Sequence, residues 1–238
     1  GRLARAVVSE WSATKPEGLG TKLEWPETKQ QTWCDSTFDA GWTFLALWWS
    51  WQRADARPQR LHVVGVVHRP HSRADLAEVL LADCTNADAR WVDCAQALVE
   101  QWPEVLPGQH RLTFEHGKVT LTLLFGDPAQ TLPRAGFLAD GFLGAGVGTR
   151  TDTGSDTGAL VAALARHAAP DARWWSVQDP ALQAAWRRVA FMPAPLTDAD
   201  MQPGLMVARR RSNVALRGDA ALRVPAWRGE RSAVVVGA

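Results

Sequence analysis

The chain has no tyrosine and no isoleucine, and only four of its 26 basic residues are lysine (Lys15, Lys22, Lys29 and Lys118). A skew of that kind reflects a GC-rich coding sequence, so bulk composition carries no functional signal here. Charge of one sign is lacking too: the formal net charge is +1, which excludes a global field drawing in nucleic acid or a membrane surface. Cys34, Cys84 and Cys94 are too few for a disulfide framework and wrongly spaced for zinc. No apolar run approaches the ~20 residues needed to span a bilayer, and no segment joins a charged head, an apolar centre and a small-residue cleavage site. These absences lead us to expect a cytoplasmic protein in a reducing compartment, with no membrane partner and no metal.

Glycine is also scarce where the fold would most need it. Gln31-Thr-Trp-Cys34 reads as a short strand and Trp42 to Trp51 as an apolar helix, so Asp35–Gly41 lies in the strand–turn–helix setting of a nucleotide-binding loop. Close approach of backbone to a ligand calls for glycine, yet Thr37 and Asp39 fill two of the expected positions and only Gly41 is glycine.

At 238 residues the simplest organisation is one α/β domain with a substantial core. Leu61–Val67 is short, apolar and β-branched, the pattern of a buried parallel strand. Ser72 can cap a helix carrying Leu76, Val79 and Leu80, and a second helix is expected over about 87–101, before Pro103. Residues 109–125 alternate apolar and polar on both sides of His116-Gly117, the signal of a hairpin. Gly136–Ala139 is a further apolar run ending in Asp140-Gly-Phe142, and 144–158 reads as a Gly/Thr/Asp loop. Helices at about 158–168 and 180–189, a strand Arg173–Val177 and a late strand at Met206–Ala208 continue the alternation. The fold expected is doubly wound and mostly parallel, Rossmann-like, with an inserted β-hairpin.

Boundaries follow from composition: a polar lead-in at 1–30, a principal domain at 31–211, a linker at 212–231, and Ser232–Ala238 as the first strand of a further domain. The tryptophans at 48, 49, 51, 174 and 175 are expected in packing. His62, His68 and His71 lack the cysteine or carboxylate spacing of a metal site. Arg187-Arg188 and Arg209-Arg210-Arg211 are the basic clusters and could touch nucleic-acid phosphates or form a solvated face.

Taken in order, Thr43–Trp48, Arg60–His62, Ser72–Leu76, Gln101–Pro103, Leu106–Leu112, Gly117–Leu121, Phe125–Asp127 and Asp140–Phe142 resemble the N-terminal methyltransferase domain of the bifunctional tRNA 5-methylaminomethyl-2-thiouridine biosynthesis protein. The likeness covers about residues 30–195. It implies methyl transfer from S-adenosylmethionine to an aminomethyl group on the wobble uridine of tRNA. It also implies a C-terminal FAD-dependent oxidoreductase domain in cis, to which Val234–Ala238 would be the opening strand. By the same resemblance Asp140 would face the substrate amine and Phe142 shape its pocket. Asp35, Phe38 and Gly41 would belong to the cofactor loop, and Asp127 would accept from the adenine amino group.

The departures fall at the cofactor. The family loop reads Glu-x-Gly-Phe-Gly-Thr-Gly, against Asp35-Ser-Thr-Phe-Asp-Ala-Gly41 here, and the acid expected at the end of the second strand is Val67. The proline loop expected after Asp140–Phe142 is also missing. Three losses in one pocket imply an eroded site. Three readings stay open: a working methyltransferase with an unusual loop, an inactive methyltransferase-like scaffold or tRNA-docking module for the flavin domain, and a different Rossmann-like enzyme.

Overall fold

The computed structural model describes residues 26–82, 88–144, 157–177, 180–194 and 205–210. The lead-in before residue 26, most of the 144–158 loop, Arg211, the linker at 212–231 and the closing 232–238 strand lie outside these residues. The elements are β1 (Gln31–Asp35), α1 (Trp42–Arg53), β2 (Leu61–Val67), α2 (Arg73–Leu81), α3 (Ala89–Gln101), β3 (Gly108–Phe114), β4 (Val119–Phe125), α4 (Pro128–Thr131), β5 (Ala139–Leu143), α5 (Thr157–Ala165), β6 (Ala168–Val177), α6 (Pro180–Arg188), β7 (Phe191–Ala194) and β8 (Leu205–Arg210).

Among the described residues all eight strands join one sheet in the order β3-β4-β2-β1-β5-β6-β8-β7. The pairs β4·β2, β2·β1, β1·β5 and β5·β6 are parallel. β3 is antiparallel to β4, and β8 runs antiparallel between β6 and β7. The doubly wound expectation holds, with a refinement at the hairpin. Its second strand, β4, is an integral parallel strand against β2, so only β3 is an addition at the sheet edge. β7 has no counterpart in the sequence reading. It has four residues and contains Pro193, which removes a ladder donor and is tolerated because β7 is the outermost strand.

Strand alternation divides the core between the two faces. On one face Trp33, Val63 and Val67 pack with Phe44, Leu45 and Trp48 of α1, Leu76 of α2, and Ala95 and Leu98 of α3. On the other, Cys34, Val64, Val66 and Phe142 pack with Val161 and Leu164 of α5 and Leu182 and Trp186 of α6. α2 begins as its sequence predicts, with Ser72 Oγ accepting from Asp75 N at 3.2 Å. The β3–β4 turn is tied to α1 through Glu115 Oε1, which accepts from Trp48 Nε1 at 3.1 Å and Gln52 Nε2 at 2.6 Å.

Phe38 sits beneath the β1–α1 loop, 4% exposed, with its ring directly over Gly65 of β2. It stacks on Trp102 at 6.3 Å between centroids. A Cβ at Gly65 would fall on that ring, whereas one at Gly117 would meet nothing within 4 Å despite φ +82. Gly65→Ala is therefore expected to cost about 1–3 kcal/mol in urea unfolding, as overpacking does, and to alter the near-ultraviolet dichroism of the buried tryptophans. Gly117→Ala should cost about 1 kcal/mol through backbone conformation and leave that spectrum unchanged.

Candidate cofactor crevice

β1 marks the point where the strand order reverses: β2 and β4 lie to one side of it, β5 and β6 to the other. Ligands of doubly wound sheets sit beyond the carboxyl ends of the strands at such a point. The groups gathered there are the Asp35–Gly41 loop, the exit of β2 at Val67-His68, the exit of β4 at Gly126-Asp127, and Leu143-Gly144 at the end of β5.

The loop is built from β1 upward. Asp35 closes the strand, 3% exposed, and its Oδ1 accepts from Thr37 N at 3.0 Å. Burial pushes its carboxyl up to about 6, against the opposing pull of hydrogen bonds from Thr37 N and the Thr43 side chain. Gly41 ends the loop at φ 86 and caps α1. A Cβ there would stand 2.9 Å from Leu98 Cδ2, so glycine is required by conformation and by packing alike. Phe38, expected at the cofactor, is instead a core residue that holds the loop down on the sheet. Ser36 fastens the loop to β5: its N and Oγ donate to Leu143 O at 2.8 Å and 3.2 Å.

Both side chains that stand for glycines are exposed. Thr37 projects from the loop, and Asp39 Oδ1 lies 3.2 Å from His71 Nε2. His71 belongs to the segment between β2 and α2, where its carbonyl accepts from Trp102 Nε1 at 2.9 Å. Asp39 thus joins the β1 loop to the β2 exit, across the mouth between the two strands.

Several expected site residues stand elsewhere. Asp140 is near the amino end of β5, because the strand begins at Ala139 and runs on to Leu143. Its Oδ2 accepts from Thr32 N at 2.8 Å, fixing the start of β1 against β5. Gly141 pairs with Trp33 and Leu143 with Asp35, so Asp140 and Asp35 are about three residues, or ~10 Å, apart along the strands. Phe142 is 0% exposed and stacks on Trp174 at 4.9 Å, beneath α6, with no access to the crevice. Asp127 is at the carboxyl end of β4 as expected, but its Oδ1 caps α4 by accepting from Ala129 N at 2.9 Å. Val67 is 1% exposed in the core on the α1 side. An acid at that position would be buried, and the side chain that emerges after β2 is that of His68.

The basic residues separate as well. Arg187 and Arg188 occupy the last turn of α6, where cations suit the helix dipole. Arg210 is half-buried and its Nη1 donates to Ala168 O, while Arg209 is exposed and pairs with Asp171 at 3.4 Å. Sequence reading missed Ser36, His71 and the Leu143-Gly144 exit. His71 carried a signal as one of three neighbouring histidines, but its partner Asp39 is 32 residues away and only the fold brings them together. An open cleft of about 550 Å³ lined by Trp48, Gln52, Cys94 and Glu115 lies at the amino-end side of the sheet, away from the crevice.

The fit to a nucleoside cofactor is poor on these observations. β2 offers no carboxylate at its exit for ribose hydroxyls, Asp127 is engaged as a helix cap, and the β1 loop carries two side chains where close approach needs none.

Two outcomes follow from the geometry. Asp35 has a folded carboxyl raised to about 6, above its unfolded value of about 3.9. The folded state therefore holds more protons between these values, and stability falls as pH rises from about 4 to about 6. Asp35→Asn should abolish that fall, read as a flatter dependence of the urea midpoint on pH across the same window. Asp140→Ala should lower stability by about 1 kcal/mol through the lost Thr32 bond while leaving any ligand affinity of the crevice within two-fold, measured by calorimetry.

No family model matches this chain. Curated relatives do. The tRNA 5-methylaminomethyl-2-thiouridine biosynthesis bifunctional protein MnmC of Burkholderia ambifaria is 32% identical over 228 residues, covering 93% of this chain and 34% of its own length. Its namesake from Aromatoleum aromaticum is 33% identical over 226 residues, covering 93% and 33%. This chain thus spans about a third of the length of the curated relatives it matches. Among solved structures, MNMC2 from Aquifex aeolicus aligns over 87% of this chain and 60% of its own, with TM-score 0.53 and 12% identity, a likeness of fold. Identity at this level along nearly the whole chain establishes that it belongs to the family of bifunctional tRNA 5-methylaminomethyl-2-thiouridine biosynthesis proteins.

Proposed function

We propose that this chain is the methyltransferase-like module of a cytoplasmic tRNA wobble-uridine modification protein. In this reading its S-adenosylmethionine crevice is closed by its own side chains, and the module serves as a scaffold and tRNA-docking platform. Its partner in cis would be a FAD-dependent oxidoreductase domain. The family membership and the bifunctional naming of the relatives support the setting. The observation that carries the closed crevice is the Asp39–His71 bond at 3.2 Å, from a residue standing where the family has glycine.

Chemistry agrees with that reading. Methyl transfer to an amine needs the amine neutral and aligned, with a carboxylate or carbonyl near it. Asp140, the residue expected in that role, is engaged with Thr32 N toward the other end of the strands. Asp35 is the buried acid nearest the crevice, but it faces α1, with Thr37 N and Thr43 around it. A second reading, retained methyl transfer, is favoured by one feature: the loop keeps its αL glycine at Gly41 and the acid at its start, so the backbone path of a cofactor loop persists.

Calorimetry with S-adenosylmethionine separates the two. The closed crevice predicts no binding heat at millimolar ligand, and micromolar affinity would overturn it. The double variant Thr37→Gly/Asp39→Gly, which clears the loop and releases His71, should bring binding into the measurable range. Val67→Glu has no place in that design, since it would bury a charge in the core.

A further inference from the structure

β6, β8 and β7 present two unlike faces. Trp174 of β6, Ala208 of β8 and Phe191 of β7 point toward α6 and are buried there. Their neighbours Arg173, Arg209 and Met192 therefore point to the opposite face, and all three are exposed. Register sets them in one row: Met192 is directly opposite Arg209, and Arg209 directly opposite Arg173. The next position in that row is Gly141 of β5, which has no side chain, with the Trp33 ring leaning over it.

Two arginines facing each other on adjacent antiparallel strands repel, and like charges so placed are destabilising. Among the described residues one carboxylate is paired with them: Asp171 reaches Arg209 at 3.4 Å, with both side chains about half exposed. Among the described residues Arg173 has no ion-pair partner. The pair thus carries a surplus positive charge on two exposed side chains, which suits an anion with several oxygens, above all a phosphodiester.

Position adds direction. Two residues further along β6 is Trp175, which packs on Trp33 at 4.9 Å between ring centroids and is registered against Leu143. Leu143 in turn is registered against Asp35. The arginine row therefore lies about 7 Å, two residues of strand, behind the lip of the crevice. We propose that Arg173 and Arg209 form a phosphate clamp for the RNA backbone, setting a strand on this face of the sheet and leading it to the carboxyl-end crevice. The clamp rests on the tRNA-docking reading above and assigns it to one face. Arg187 and Arg188, at the end of α6 on the far side, and Arg210, bonded to Ala168 O, take no part.

Fluorescence anisotropy on the whole chain tests this, with bulk tRNA titrated over a range of salt. Arg173→Gln/Arg209→Gln should weaken binding roughly ten-fold at low salt and lower the salt slope by about 1 per arginine lost. Arg187→Gln/Arg188→Gln should stay within two-fold of the native chain. Arg173→Gln alone should weaken binding without lowering the melting temperature, because it relieves a like-charge contact. The clamp is overturned if the first double variant binds with native affinity and slope, or if the α6 variant causes the loss instead. Competition by inorganic phosphate at concentrations matching RNA would mark a free-anion site and likewise defeat an RNA clamp. Absence of any tRNA binding by the native chain at low salt would remove the docking reading itself, a result told apart by the native titration alone.

Discussion

The contact on which the rest of this structure depends is that of the Phe38 ring with the bare backbone of Gly65. It draws the β1–α1 loop down onto β2, and the ring is backed by Trp102, itself fully buried. Trp102 extends the same support outward, donating its Nε1–H to His71 O and accepting from the Arg73 guanidinium through its carbonyl. The left-handed turn at Gly41, the start of α1 and the position of the β2–α2 segment are all set by this packing. A loop usually explained by its ligand is here explained by its core, since the aromatic ring and two glycines fix its path whether or not a cofactor is bound.

That arrangement separates two properties that a glycine loop normally combines. Gly65 and Gly41 serve close packing of protein on protein, since a Cβ at either would fall against a core side chain. The positions that would serve close approach of a ligand are Thr37 and Asp39, and neither is glycine. Side chains at these positions cost the fold nothing, because they project outward and one of them finds His71. A chain can therefore lack the ligand-facing glycines while its Rossmann-like sheet stays intact.

Local elements were legible where one physical signal sufficed. Ser72 marked a helix start because its hydroxyl can only do so by reaching Asp75 N, and it does. The Leu61–Val67 run marked a strand buried on both sides, and the alternation around His116-Gly117 marked the hairpin. Reading failed where a residue's meaning depends on its partner strand. Asp140 was expected at the mouth of the site, but β5 starts at Ala139, so the same residue lies near the amino end. Val67 stands where a ribose-binding acid is expected, and strand alternation sets its side chain in the core.

The sequence by itself determined the periodicities, the caps, the hairpin and the family. These reside in neighbours along the chain or in the order of motifs, which composition and spacing preserve. Tertiary structure alone decided which end of a strand a side chain occupies and which face of the sheet it joins. It also decided which distant residues meet: Asp39 with His71, Ser36 with Leu143, Arg173 with Arg209. Register between strands far apart in the chain settles all three, because a shift of one residue reverses every side chain in the strand. No local pattern in this sequence encodes that choice.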